Sequence, residues 1–403
     1  MHLPHAIPFR GHSAPKHRIN SHNFYFCAPR RRSLNFAKAL ATLYANQRLE
    51  SEAEMKRILA STAAALAVAT ALLVAGGIAA KRATAAPPAG PSGYHVIKTI
   101  PVPGDTGWDY LLVDSDARRV YVSRGTHVVV LDADSYEIVG DIPDTLGVHG
   151  IAIASELGRG FTSNGRANTA TIFDLKTLKT LGTVNTGKNP DAIVYDGVTK
   201  RVFTLNGAGK DTTAFNAADG AVVGSLPLGG KPEFAVADGK GNIYVNMEDT
   251  SELVQFDAKT LKEVHRWPLK PAEGPSGLSM DLKHRRLFSG CDGKMMPVTD
   301  ADSGKIVATI AIGDGVDATA FDPGTQLAFS SNGEGTLTVA HEDSPDKYTV
   351  LENVPTKKSA RTMGLDLKTH NVFLPAADFD APAAGERRGK MKAGSFVLLV
   401  VGK

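Results

Sequence analysis

An aromatic residue recurs along this chain at Tyr121, Phe161, Phe203, Tyr244, Phe288, Phe329 and Phe373, at steps of 40, 42, 41, 44, 41 and 44 residues. A second column trails it: Asp132, Asp174, Asn216, Asp257, Asp300 and His341. Few folds repeat at this interval from short strands and turns. A period near forty predicts an all-β chain, a β-propeller with one four-stranded blade per repeat.

Each repeat has the same grammar. A short apolar strand, such as Leu111-Leu112-Val113 or Ala192-Ile193-Val194, ends in a turn residue (Asp114, Asp196, Asp281, Asp322, Asp366). The aromatic strand follows, then a Gly/Asn loop, a strand ending in Phe-Asp, a polar turn and a fourth strand. Seven units result, the last over 361–403, and that last unit has no fourth strand. The segment at about 94–100, Tyr94 to Ile100, matches the fourth-strand pattern and precedes the first unit. Pairing it in the C-terminal blade closes a seven-bladed ring and removes both open edges.

Residues 58–80 form an Ala/Leu/Val run behind Met55-Lys56-Arg57 and ahead of Ala83-Thr84-Ala85. This is the pattern of a secretory signal over 55–86, or of a membrane anchor if it stays uncleaved. It predicts a periplasmic or secreted propeller over 87–403. Residues 1–54 are basic, carry five of the twelve His and show no repeat; translation is expected to start at Met55, with a disordered tail as the alternative. Beyond residue 86 there remain 33 Lys+Arg against 39 Asp+Glu, so the exported part carries about −6 while the whole chain carries +3. That balance disfavours nucleic acid as a partner. Cys291 alone remains in this part, so no internal disulfide is available.

The repeats resemble those of the YncE-like bacterial proteins with YVTN-type β-propeller repeats. The resemblance rests on Arg201-Val202-Phe203-Thr204-Leu205-Asn206-Gly207, on Phe256-Asp257-Ala258-Lys259-Thr260 and on the linkers Gly230-Lys231-Pro232 and Gly274-Pro275, and it covers about 94–403. It implies the propeller fold and says little about function. A WD40 assignment fits poorly, because Trp108-Asp109 precedes a first strand instead of ending a third.

Superimposing the repeats shows what each blade offers to the central channel. Five residues before the turn stand Asp109, His149, Asp191, Ser276, Asp317 and Arg361, with Glu233 in the fourth blade. Carboxylates converging with one imidazole suit a divalent ion (Ca²⁺, Mg²⁺, Mn²⁺ or Zn²⁺), so Asp109, His149, Asp191, Glu233 and Asp317 are the candidate metal ligands. A solvated polar ring, with Arg361 pairing to Asp317 or Asp109, is the alternative. Loops on the same face add Arg124, Asn164 and Asn206, which with Arg361 are candidate ligand-binding residues. One loop, 376–394, is long and rich in Ala, Pro and Gly, and carries Glu386, Arg387, Arg388, Lys390 and Lys392; it is the place for a lid or a partner contact.

No haem, nucleophile-elbow or phosphate-loop motif is present. His127, His265, His284 and His370 lack partners at metal spacing and read as structural, and Met295-Met296 reads as core packing. The sequence therefore favours an exported binding module for a small-molecule ligand or an envelope protein at the channel mouth. The alternative is a metal-dependent hydrolase or lyase, similar only in site logic to the lactone hydrolases of gluconolactonase type, with His149 as base.

Overall fold

The computed structural model describes residues 92–104, 106–382 and 389–403. The expected leader over 55–86, the segment 1–54 and the loop residues Glu386, Arg387 and Arg388 lie outside them. The described residues build seven four-stranded antiparallel sheets. Blades 1 to 6 cover 111–142, 148–185, 190–227, 232–268, 278–311 and 316–355. The seventh blade is assembled from both ends: Gly364–Leu365, Val372–Ala376 and Val397–Gly402 are joined by His95–Pro101, with His95 opposite Gly402 and Pro101 opposite Val397. The expected closure is therefore present, and the molecule is a seven-bladed β-propeller. The one helical turn among the described residues is Ser155–Leu157.

Both repeating columns have a physical role. The seven aromatics sit at the centre of the second strands and are 0–1% exposed. Each reaches the next blade. Tyr121 meets Phe173 at 5.9 Å between ring centroids, Phe161 meets Phe215 at 5.9 Å, and Phe203 meets Phe256 at 5.4 Å. Phe329 meets Tyr94 at 5.4 Å across the closure. Such offset and edge-on pairs add to the burial energy of the rings and set the spacing between blades. In blades 1, 2, 4 and 5 the Asp of the second column caps the last hairpin. Asp174 Oδ1 accepts from the backbone N–H of Thr177 at 2.7 Å, and Asp257 Oδ1 accepts from Thr260 at 2.6 Å. Met296 is buried in the core, as expected. Cys291 is buried as well, which pushes its thiol up to about 12.

Antiparallel order gives the propeller two different faces. The entry of each first strand and the hairpin between second and third strands open on one face, that of the channel mouth. The first and last hairpins of each blade open on the other. Along that far face a basic side chain in one blade reaches the turn Asp of its neighbour: Arg118 donates to Asp366 at 2.8 Å, and His370 Nδ1 lies 2.7 Å from Asp322 Oδ2.

Candidate functional site at the channel mouth

The ring positions enter the channel because their backbones are pinned across blades. Ser163 of blade 2 donates its hydroxyl to the carbonyl of Asp191 in blade 3, and Ser331 of blade 6 donates to that of Arg361 in blade 7. Thr362 donates to the carbonyl of Asp109 at 2.8 Å, while Ser123 Oγ accepts from the Asp109 N–H at 2.9 Å. The backbones of Asp109, Asp191 and Arg361 are thereby fixed.

The ring divides into three groups. In the first, His149 Nδ1 stands 2.6 Å from Asp109 Oδ2 and 3.5 Å from Asp191 Oδ1. One donor atom from each of these residues lies within 4.8 Å of the other two. Asp191 Oδ1 is buried and has no hydrogen-bond partner. In the second, Arg361 bridges Asp109, at 3.4 Å, and Asp317, to which it makes a tighter ion pair; Ser276 donates to Asp317 Oδ1 at 2.8 Å. In the third, Lys231 Nζ lies 2.5 Å from Glu233 Oε1 and is also paired with Glu248, and the Tyr110 hydroxyl is 3.5 Å from Glu233. Of the five expected metal ligands, Asp109, His149 and Asp191 come together. Glu233 and Asp317 are each held by a cation of the protein.

Electrostatics follows from this partition. Burial, then the charge of Asp109, pushes the Asp191 carboxyl up against the partial relief of His149, Lys231 and Arg361. Glu233 is pushed up by burial and by Asp191, and Lys231 opposes this. Burial works against a charged His149, yet the Asp109 hydrogen bond and the fields of Asp191, Asp109 and Glu233 outweigh it and raise its pKa. The mouth thus draws in positive charge, whether a proton or a cation.

Three expected ligand-binding residues are placed otherwise than their loop positions suggested. Arg124 is fully buried, with its guanidinium 3.7 Å over the Phe396 ring. Asn164 and Asn206 are buried inside their blades. Asn164 Nδ2 donates to Thr171 at 2.9 Å and its Oδ1 accepts from Thr162 at 2.8 Å; Asn206 makes the matching bonds to Thr213 and Thr204, both at 3.0 Å. They clamp the second and third strands together. Arg361 does face the mouth.

Beside Arg361 lies a cavity of about 610 Å³, walled by Trp108, Phe379, Lys358, Asp378 and Lys392. The stems of the long loop form its roof: Asp380 donates its N–H to Lys390 O at 2.9 Å, and Lys392 donates to Asp378 O at 2.8 Å. The described parts of that loop are therefore a paired hairpin. Trp108 packs on Phe396 at 5.1 Å and on Phe379 at 5.9 Å.

Two groups escaped the sequence reading. Lys231, inside the Gly-Lys-Pro linker, is the counter-ion of Glu233, and its neighbour Pro232 was the only cue to its place at a strand entry. The far-face His284 does have partners: its Nδ1 lies 2.7 Å from Asp281 Oδ2 and 3.2 Å from Glu342 Oε1, which corrects the expectation that it had none.

No family model matches the chain, and no curated protein matches its sequence. Among solved structures it is similar to U3-55K (TM-score 0.65, 11% identity, 76% of this chain and 99% of that one). It is also similar to a chain of the hydrazine synthase of Kuenenia stuttgartiensis (TM-score 0.60, 11% identity, 68% and 94%) and to one of the mitotic checkpoint complex (TM-score 0.63, 12% identity, 77% and 92%). At these identities the likeness is one of fold.

Proposed function

We propose that this propeller is an exported binding module of the YncE-like type. Its channel mouth would take a small-molecule ligand together with a divalent cation on Asp109, His149 and Asp191. The observation that carries the reading is the meeting of three donor atoms from consecutive blades within 4.8 Å, one of them a buried carboxylate oxygen without a hydrogen bond. Carboxylates whose charge is suppressed by burial and by each other are relieved most by a cation. The adjoining cavity shares Arg361 with this cluster and has an aromatic wall, so it suits the organic part of such a ligand. A protein partner over the same face is the second reading. It is supported by a similar propeller found in a chain of the mitotic checkpoint complex.

The hydrolase alternative needs a base beside the ion. His149 turns Nδ1 toward both carboxylates, which favours its use as a ligand. Metal analysis of protein prepared without chelator tests the proposal. A divalent ion bound by the unsubstituted protein and missing from Asp191→Asn, a difference of one ion per chain, is expected. Metal-free protein whose melting temperature ignores added Ca²⁺, Mg²⁺, Mn²⁺ and Zn²⁺ would overturn it. Export is tested separately: protein from the native host should begin near Ala86 or Pro87, and peptides from 1–54 in the mature protein would refute that.

A further inference from the structure

On the far face, blades 5 and 6 bring together Asp281, His284 and Glu342. Asp281 ends the strand Leu278–Asp281, and His284 lies in the turn that follows. Glu342 stands in Thr336–Ser344, near the hairpin into Lys347–Pro355. The imidazole Nδ1 lies between the two carboxylates, and one donor atom from each of the three residues falls within 4.8 Å of the others. Asp281 and Glu342 are both 2% exposed, whereas His284 is partly open to solvent and leaves a way in.

Two carboxylates buried side by side repel unless something positive sits with them. The nearby guanidinium of Arg286 is committed elsewhere, to Asp300 at 2.6 Å and to Asp346 at 2.7 Å. Glu342 Oε2 is buried and has no hydrogen-bond partner, so the side chain that reaches the imidazole still has an unused acceptor in the interior.

We propose that Asp281, His284 and Glu342 form a second cation site, structural in kind, that clasps blade 5 to blade 6. One imidazole nitrogen with two carboxylate oxygens suits a borderline divalent ion such as Zn²⁺ better than the harder Mn²⁺, Ca²⁺ or Mg²⁺. The enclosure of the acids fits a closed structural site, in contrast to the open channel mouth. The inference stands on far-face residues alone and does not depend on the channel-mouth reading.

The test titrates Zn²⁺ and Mn²⁺ into purified Asp191→Asn protein, where the mouth cluster is impaired, with calorimetry and thermal melting as readouts. One ion per chain should still bind and raise the melting temperature. Adding His284→Gln should weaken that ion at least tenfold and abolish the rise. Glu342→Gln should do the same, and if that buried change fails to fold, His284→Gln at its partly exposed position carries the test. The proposal is overturned if Asp191→Asn protein binds no ion, or if the remaining ion survives both far-face substitutions undiminished. Failure of the mouth reading would look different: wild-type and Asp191→Asn protein would bind alike.

Discussion

Gly165 controls how closely the imidazole of the mouth cluster can be held. A Cβ at this position would stand 2.7 Å from His149 Nε2 and 2.7 Å from Asn189 Oδ1, closer than real contacts allow. Gly165→Ala should therefore push the ring of His149 off Asp109 and weaken a mouth cation at least tenfold, with the blades intact by circular dichroism; unchanged affinity would show that His149 is not a ligand. The acids of the mouth also set a pH dependence. Asp191, raised from 3.8 to about 6, binds its proton more tightly in the folded state. Its contribution is fully present below pH 3.8 and is lost as pH rises through about 6; the raised Glu233 and His149 act in the same sense. In chelator the protein should lose about 1–3 kcal/mol between pH 4 and neutrality, an order of magnitude set by roughly 1.4 kcal/mol per pKa unit. Asp191→Asn should flatten that loss in urea titrations. Asp109, His149 and Asp191 were legible in the sequence because a strand entry points the same way in every blade. Arg124, Asn164 and Asn206 were not, because a loop position does not say whether a side chain turns outward or back into the sheet.

At the level of elements, the joints between blades carry much of the stability. Phe203 is wholly buried and packs edge-on against Phe256 of the next blade. Phe203→Ala should cost about 3–5 kcal/mol in denaturant unfolding, from the lost burial and the cavity left behind; a loss under 1 kcal/mol would mean that this joint is not load sharing. On the far face Arg118 pairs with the fully enclosed Asp366 of blade 7 and with Asp134 of its own blade. Arg118→Ala strands the buried Asp366 charge and should destabilise by about 3 kcal/mol, and Asp366→Asn in the same chain should restore part of this. Blade count and strand limits were readable because the aromatic and Asp columns are local. Lys231 with Glu233, and His284 with Glu342, were not, since these contacts depend on the reach of side chains separated in sequence.

For the whole molecule, closure of the ring is the decisive element. Removing His95–Pro101 would leave Val397–Gly402 as an open edge and strip Tyr94 from Phe329. The expected result is aggregation and a broad, less cooperative melt; a truncated protein that stays monomeric and melts like the parent would show that the ring does not need this strand.

The same pairing orders events in time. His95–Pro101 is synthesised before any blade, yet its partner Val397–Gly402 comes after the sixth blade. No nascent chain can latch until the end of the repeats has emerged, so the early strand must wait unpaired, and a contact between opposite ends of the array is the expected slow step of folding. A permuted chain that carries residues 92–101 behind 403, across a short flexible linker, would turn this latch into a neighbouring hairpin. It should reach the same structure faster, with the burden of waiting removed from the apolar strand that now bears it.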